Sequence, residues 1–455
     1  MAIIRMKSKY TVKPAEPTWN GILPLSELDQ ISVITHSSVL YFYDKPTKEE
    51  WLNPSNNKIM NTLKESLSHA LVPFYPLAGR LSYKGEGRFE LECNAMGAEL
   101  VEVESTMKMV DFGDFYSCTK KLRELLVPMS YYTKPIQDLP VLAVQITRFR
   151  CGGLSLGMSM SHVVADGRSA FHFIKEWGRL ALGKPLEEAP FLDRRILRAE
   201  AHQKTVVDQS ERMNYFSQLR LGEDKWGKQV SPTFVVLTKD MIMRLKEVAN
   251  SISNREIVKD HLRRPYSRFE VVAAHVWRCV CKARELKSED MSTLMVAVAA
   301  HDRMEPPLPS SFFGNAVVDA EISSSVGELI SRPLSYACSI VREAIQKVTN
   351  EYILASIEFL KKQQNLTKYQ YIDDRGIMEG PAYGDHNITV VSWLNLSSHG
   401  VDFGWGKEIH MGPPIVQTCD GDIHLSPYKN DGSLIVGVCL QPNEKFVKYI
   451  TSPIV

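Results

Sequence analysis

The chain has 455 residues, too many for one ordinary hydrophobic core, so two domains of roughly 200 residues each are expected. Hydrophobic residues make up 44% and charged residues 24%, as in a globular chain, and the charges nearly cancel to a formal net charge of +1. That balance excludes a basic field for nucleic acid or an anionic membrane, and no stretch approaches the roughly 18 apolar residues of a membrane span.

The first residues lack an apolar run with a cleavage site, and the last ones carry no lipidation signal, so a cytoplasmic protein is expected. The eight cysteines are scattered. The one close pair, Cys279 and Cys281, has no second pair or histidine cluster to complete a zinc set, so no metal is expected and the thiols read as reduced and mostly buried.

Residues 10–19 form a proline-bounded extended opening. Residues 32–43, rich in β-branched and aromatic side chains and containing His36 and Ser38, read as a strand. Met60, Leu63, Leu67 and Ala70 recur at helical spacing over 60–71, and a strand follows at 88–93. Two apolar runs, 141–150 and 154–160, flank Cys151-Gly152-Gly153 as a hairpin. After Gly167, the spacing of Ala170, Phe171, Ile174, Trp177 and Leu180 predicts an amphipathic helix ending near Gly183. Charges dominate residues 193–229, read as a crossover linker with a helix over 208–221. Beyond it come a strand at 233–237, helices at 239–249 and 268–284, and a strand at 293–300. A proline loop spans 304–315; helices follow at 327–330 and 337–363, then strands at 388–396 and 434–440. The class is mixed α/β, with domains at 1–192 and 230–455 and no internal repeat.

His162 and Asp166 lie four apart at a strand-to-helix corner closed by Gly167. A neutral imidazole there suits removal of a proton from a nucleophile attacking a carbonyl. Aspartate is also a preferred helix N-cap, so Asp166 reads as a brace for the corner rather than a second base. Asp402-Phe403-Gly404-Trp405-Gly406 reads alone as a tight turn with a packed ring. No Gly-x-Ser-x-Gly elbow and no kinase signature is present.

Together, His162-x-x-x-Asp166-Gly167 and Asp402-Phe-Gly-Trp-Gly406 resemble the paired signatures of the plant BAHD acyltransferases. The resemblance runs along nearly the whole chain, through Pro76-Leu-Ala-Gly-Arg80, Ala274-His-Val-Trp-Arg278, Pro306-Pro-Leu-Pro309 and Phe313-Gly-Asn315. Within the family the chain is most similar to the spermidine hydroxycinnamoyl transferases, through stretches such as Pro14-Ala-Glu-Pro-Thr-Trp19 and Pro190-Phe-Leu-Asp-Arg194.

The resemblance implies two similar mixed-sheet domains with a tunnel between them, acting as a monomer with acyl-CoA as co-substrate and no permanent cofactor. It implies that His162 is the general base, that Trp393 donates to the oxyanion, and that Asp402, Gly404, Trp405 and Gly406 are structural. CoA is expected near Ser267 and Arg268, the alternative for Arg268 being a solvated helix start. Relatives using anionic acceptors carry an arginine in the segment before the Trp393 strand, where this chain has Asp373, Asp374, Glu379 and Asp385. That favours a cationic polyamine acceptor, with His36 and Ser38 as further contacts, against the alternative of a solvated acidic loop. Where relatives place an arginine that pairs with the motif aspartate, this chain has His301, so Asp166 is expected to pair with His301. Two other readings stay open: acylation of shikimate, quinate or another alcohol, and a binder that keeps the fold without the catalysis.

Overall fold

The computed structural model describes residues 4–52, 57–112, 125–128, 135–197, 232–251, 264–370, 386–396, 399–413, 420–428, 431–440 and 443–452. The acidic segment with Asp373, Asp374, Glu379 and Asp385, and nearly all of the expected linker, lie outside them.

Strands run in chain order as β1 (Ile4–Val12), β2 (Ile22–Leu23), β3 (His36–Tyr43), β4 (Arg80–Gly85), β5 (Arg88–Glu92), β6 (Ala98–Ser105), β7 (Leu142–Phe149) and β8 (Leu154–Ser161). They continue as β9 (Pro232–Leu237), β10 (Met291–Ala299), β11 (Val317–Ser325), β12 (Ile388–Ser392), β13 (His410–Gly412), β14 (Asp422–Tyr428) and β15 (Ser433–Cys439). Among the described residues they form two six-stranded sheets, ordered β1-β6-β7-β8-β3-β13 and β11-β10-β12-β14-β15-β9, and a small sheet β2-β5-β4. Each large sheet mixes parallel and antiparallel pairs.

The first sheet is built around the hairpin. Gly152 takes φ +88°, the left-handed turn that joins β7 to β8. Every residue of β8 is buried: β7 and β3 cover its edges, and the stretch 126–128 lies against Gly157 and Ser159 on one face. The helix Gly167–Ala181 lays Phe171, Phe173, Ile174 and Trp177 into that core and packs on the helix Lys58–Ala70. In the second half the helix Arg268–Ala283 is buried along most of its length against the helices Leu334–Lys347, Asn443–Thr451 and Lys239–Asn250.

Two expectations need correction. Residues 337–363 are not one helix: Val348 leaves helical geometry, and Thr349 starts a second helix, Asn350–Lys361, by accepting a hydrogen bond from the Tyr352 N–H. A threonine hydroxyl that satisfies a free backbone donor favours such a break over continuation. The extended opening begins as a paired edge strand, β1 against β6.

The C-terminal half contributes a strand to the first sheet. β13, from the C-terminal part of the chain, adds to the first sheet by pairing with β3. Beside it, Asp402 Oδ1 accepts from the Gly404 N–H at 2.7 Å and the Gly406 N–H at 3.0 Å, closing a tight loop. Phe403 then sits edge-on to Trp177 with centroids 4.7 Å apart, and Trp405 meets Tyr43 and Trp51.

Gly404 has φ +106° and a Cβ there would lie 2.8 Å from Trp51, whereas Gly406, at φ +125°, has open space. Gly404→Ala and Gly406→Ala should each cost about 1–3 kcal/mol of backbone strain. Gly404→Ala should cost more because the Trp51 ring must also move; equal losses in urea unfolding would show that the ring yields freely.

Candidate active site

β8 carries the chain to Ser161, and His162 is held at its exit by its own N–H, which donates to the Thr35 carbonyl at 2.9 Å. Asp166 follows in extended geometry and caps the next helix, its Oδ1 accepting from the Ser169 N–H at 2.9 Å. Its Oδ2 accepts from the Ala316 N–H at 3.1 Å, and its own N–H donates to the Gly314 carbonyl at 3.2 Å. The corner is thereby stitched to the loop after the 304–309 prolines, which belongs to the other half.

Beneath the corner lies a buried ion pair that the sequence reading did not find. Asp29 and Arg194 approach to 3.4 Å with side chains 0% and 1% exposed. The Arg194 guanidinium also donates to the Val164 carbonyl at 2.7 Å and the Phe313 carbonyl at 3.3 Å. Asp29 accepts from the Asn315 backbone N–H at 2.8 Å and from Asn315 Nδ2 at 2.9 Å. Asn315 Nδ2 reaches the His162 carbonyl at 2.8 Å, and Ser32 Oγ lies 2.8 Å from His162 Nδ1. The available signals were an Asp-Arg pair after Phe191-Leu192 and a polar residue, Ser32, opening an apolar strand.

His162 is half-buried, and burial pushes its pKa below the ordinary histidine value, with Asp166 and Asp29 opposing the shift. Among the described residues its Nε2 has no hydrogen-bond partner. A neutral ring with one nitrogen anchored and the other open can accept a proton.

The expected Asp166–His301 pair is not hydrogen-bonded. Both carboxylate oxygens of Asp166 accept from backbone N–H groups, and among the described residues neither ring nitrogen of the buried His301 has a hydrogen-bond partner. His301 instead stands edge-on to Phe312, at 5.9 Å between centroids. Burial lowers its pKa, and the charge of Asp166 opposes that without a bond between them.

Trp393 lies just past β12, its backbone N–H donating to the Leu425 carbonyl at 2.8 Å. Its ring is edge-on to Phe171 of the helix that follows the corner (5.2 Å) and to His424 (4.4 Å). A Cβ at Gly167 would lie 3.0 Å from Leu396, so the loop bearing Trp393 sits against the start of that helix. His424 is half-buried, and desolvation pushes its pKa down to about 3, which favours a neutral ring against Trp393.

The other expected contacts are placed as follows. The Ser267 hydroxyl caps the helix Arg268–Ala283 in a reciprocal arrangement with Glu270, which also binds Arg342 and Arg264. That occupies the Ser267 hydroxyl locally, and Arg268 is a partly exposed first helical residue. His36 Nε2 lies 2.8 Å from the Pro140 carbonyl, and burial pushes its pKa to about 4. Ser38 Oγ lies 2.7 Å from Ser159 Oγ. His36 lines a small recess with Ile34, Leu139, Pro140 and Ser161, which adjoins the corner through the pairing of His36 with Ser161. Among the described residues no group of three or more acidic, histidine or cysteine side chains could hold a metal, and no helix is long and apolar enough to cross a membrane.

Arg194→Met would leave the Asp29 carboxylate without its cation and two carbonyls without donors. Removing one partner of a buried pair costs about 3–5 kcal/mol. Urea unfolding should show a loss of that order; a loss under about 1 kcal/mol would contradict the bracing role assigned to the pair.

A family model described as the Transferase family matches residues 2–449. The chain is 39% identical to hydroxycinnamoyl-CoA:piscidic acid hydroxycinnamoyltransferase of Actaea racemosa, covering 96% of this chain and 97% of that one. It is 35% identical to shikimate O-hydroxycinnamoyltransferase of Nicotiana tabacum, over 96% of each. It is 32% identical to hydroxycinnamoyl-CoA:5-hydroxyanthranilate N-hydroxycinnamoyltransferase of Avena sativa, again over 96% of each. In fold it is similar to vinorine synthase, with TM-score 0.71, 20% identity and coverage of 97% and 95%. It is likewise similar to TRI101 of F. sporotrichioides, solved with coenzyme A and T-2, with TM-score 0.75, 18% identity and coverage of 95% and 97%. The likeness to the spermidine group is not reproduced among these relatives, whose names carry acid acceptors. With a family model spanning almost the whole chain and relatives of this kind aligned end to end, the chain belongs to the Transferase family, that of the BAHD acyltransferases.

Proposed function

We propose that this protein transfers a hydroxycinnamoyl group from its CoA thioester to an amine of a polyamine such as spermidine, acting as a cytoplasmic monomer. The observation that carries the chemistry is His162: a half-buried imidazole, lowered in pKa by burial, with Nδ1 anchored and, among the described residues, no hydrogen-bond partner on Nε2. The donor reading is supported by the hydroxycinnamoyl-CoA named for relatives and by the coenzyme A bound in a structure of like fold.

In this reading the free amine attacks the thioester carbon, and the attacking nitrogen becomes acidic as its bond forms. His162 Nε2 takes that proton, the C–S bond breaks, and the thiolate leaves with the proton as CoA thiol. The tetrahedral oxyanion needs a donor, a role assigned to the Trp393 indole N–H. Arg268 would meet a CoA phosphate, with Ser267 fixing the helix start beside it. Asp402, Gly404, Trp405 and Gly406 act by joining the halves. The division at 1–192, 193–229 and 230–455 belongs to the same proposal, with β13 returning to the first sheet.

The polyamine rests on the acidic run Asp373, Asp374, Glu379 and Asp385 just before β12, which would supply carboxylates to desolvated ammonium groups. The second reading, an alcohol or hydroxy-acid acceptor, is favoured by the acceptors in the relatives' names, piscidic acid and shikimate.

Mass spectrometry of products from coumaroyl-CoA with equal spermidine and shikimate separates the two, with mono- or poly-coumaroyl spermidine expected. Coumaroyl shikimate as the main product would replace the first reading by the second. Trp393→Phe should lower kcat by about 10²–10³-fold with the KM for acyl-CoA unchanged; undiminished kcat would remove the oxyanion role.

A further inference from the structure

The hydrogen bonds below the corner favour one nitrogen of His162 as the carrier of its proton. Asp29 is fully buried and its oxygens are acceptors, already facing the Ser26 N–H and hydroxyl, both at 2.8 Å, and Arg194. The Asn315 amide faces Asp29 Oδ1 at 2.9 Å, the His162 carbonyl at 2.8 Å and the Val163 carbonyl at 3.3 Å. All three are acceptors, so the NH2 end of the amide must point at them. The opposite end, Oδ1, then points at Ser32 Oγ, 3.2 Å away. An amide oxygen only accepts, and among the described residues Ser32 Oγ is the one donor facing the buried Asn315 Oδ1, so giving the single Ser32 proton to His162 Nδ1 would leave that oxygen unmatched, whereas giving it to Oδ1 satisfies both. That choice, like donation to the His162 carbonyl 3.2 Å away, leaves an Oγ lone pair facing His162 Nδ1 at 2.8 Å.

We infer that Ser32 is a positioning residue for acyl transfer: the relay Asp29, Asn315, Ser32 holds neutral His162 as the Nδ1–H tautomer, so that Nε2 presents its lone pair to the acceptor. The inference rests on the proposed role of His162 as base. When His162 gains its second proton, Nδ1–H still donates to Ser32, and the relay ends on the Asp29 carboxylate, so the imidazolium is stabilised without moving an atom. The charged and titratable groups around the ring are Asp166 on the corner, Asp29 below it, and Arg194, which reaches the Val164 carbonyl. His301 faces Asp166, and His36 lies on the adjoining strand. The contact at Nδ1 is the Ser32 hydroxyl, at 2.8 Å.

The test uses the full chain labelled with ¹⁵N-histidine, the His162 signals being assigned from their absence in His162→Gln. In the parent, neutral His162 should show Nδ1 in the protonated, pyrrole-like range and Nε2 in the pyridine-like range. Ser32→Ala should mix the two tautomers, lower the NMR titration midpoint of His162, and reduce kcat with coumaroyl-CoA by on the order of 10-fold or more. The KM for coumaroyl-CoA should stay within about twofold of the parent, and Ser32→Thr should restore both tautomer and rate. A parent ring protonated on Nε2, or a Ser32→Ala protein with unchanged ¹⁵N shifts and midpoint, would overturn the inference. Undiminished turnover by His162→Ala would remove the base reading itself, while the tautomer assignment would stand on the NMR alone.

Discussion

The buried pair of Asp29 and Arg194 is the interaction on which the site depends. Taking two charges out of water is costly, and only a full set of partners offsets it. Here Asp29 receives donors from Ser26 and Asn315, and Arg194 donates to carbonyls on each side of the corner. The pair and those partners come from the segment before β3, the turn after β8, the loop before β11 and the stretch that ends the first half. One pair therefore fixes four pieces of backbone distant in sequence. The stabilisation it supplies is modest beside its effect on geometry: the carbonyls of residues 162–164 cannot move without leaving a donor unmatched.

Function follows from the environment this creates. His162 is held by its backbone and by Nδ1, while burial disfavours its charged form. In the proposed reading, a ring whose charged form is disfavoured and which is anchored at one nitrogen takes a proton at the other. Trp393, the residue proposed as oxyanion donor, follows β12 of the second sheet and packs on Phe171. β13 and the turn at 402–406 hold the halves in that relation through backbone pairing and an aromatic cluster. The site thus lies where the two cores meet, and sliding of one half past the other would cost both packing and ladder hydrogen bonds.

Much of this was legible in the sequence, for definite reasons. The hairpin at 142–161 and the helix after Gly167 carry strong periodicity and glycine punctuation, and local rules suffice for them. Asp166 as a cap is local too. What could not be read was long-range: Ser32, Asp29, Arg194 and Asn315 look unremarkable singly, and only the folded chain brings them together. The expected Asp166–His301 hydrogen bond is not made: Asp166 directs one oxygen to the Ser169 N–H and the other to the Ala316 N–H, as a helix cap bound to the neighbouring loop. The 337–363 run hid a break because Thr349 and Asn350 sit inside an otherwise helical pattern. β1 and β6 escaped notice because edge pairing with mixed polar and apolar faces leaves a weak alternation.

The central claim is that the acceptor attacks the thioester directly, with His162 as base and no residue of the chain acylated on the way. Rapid mixing of the enzyme with a slight excess of coumaroyl-CoA, first without and then with spermidine, tests it most directly when free CoA thiol and intact protein mass are followed together. The account predicts no thiol burst and no acylated protein until the amine is added, then thiol release in step with amide formation. A burst equal to the enzyme concentration before the amine, with a coumaroyl adduct on the protein, would contradict it.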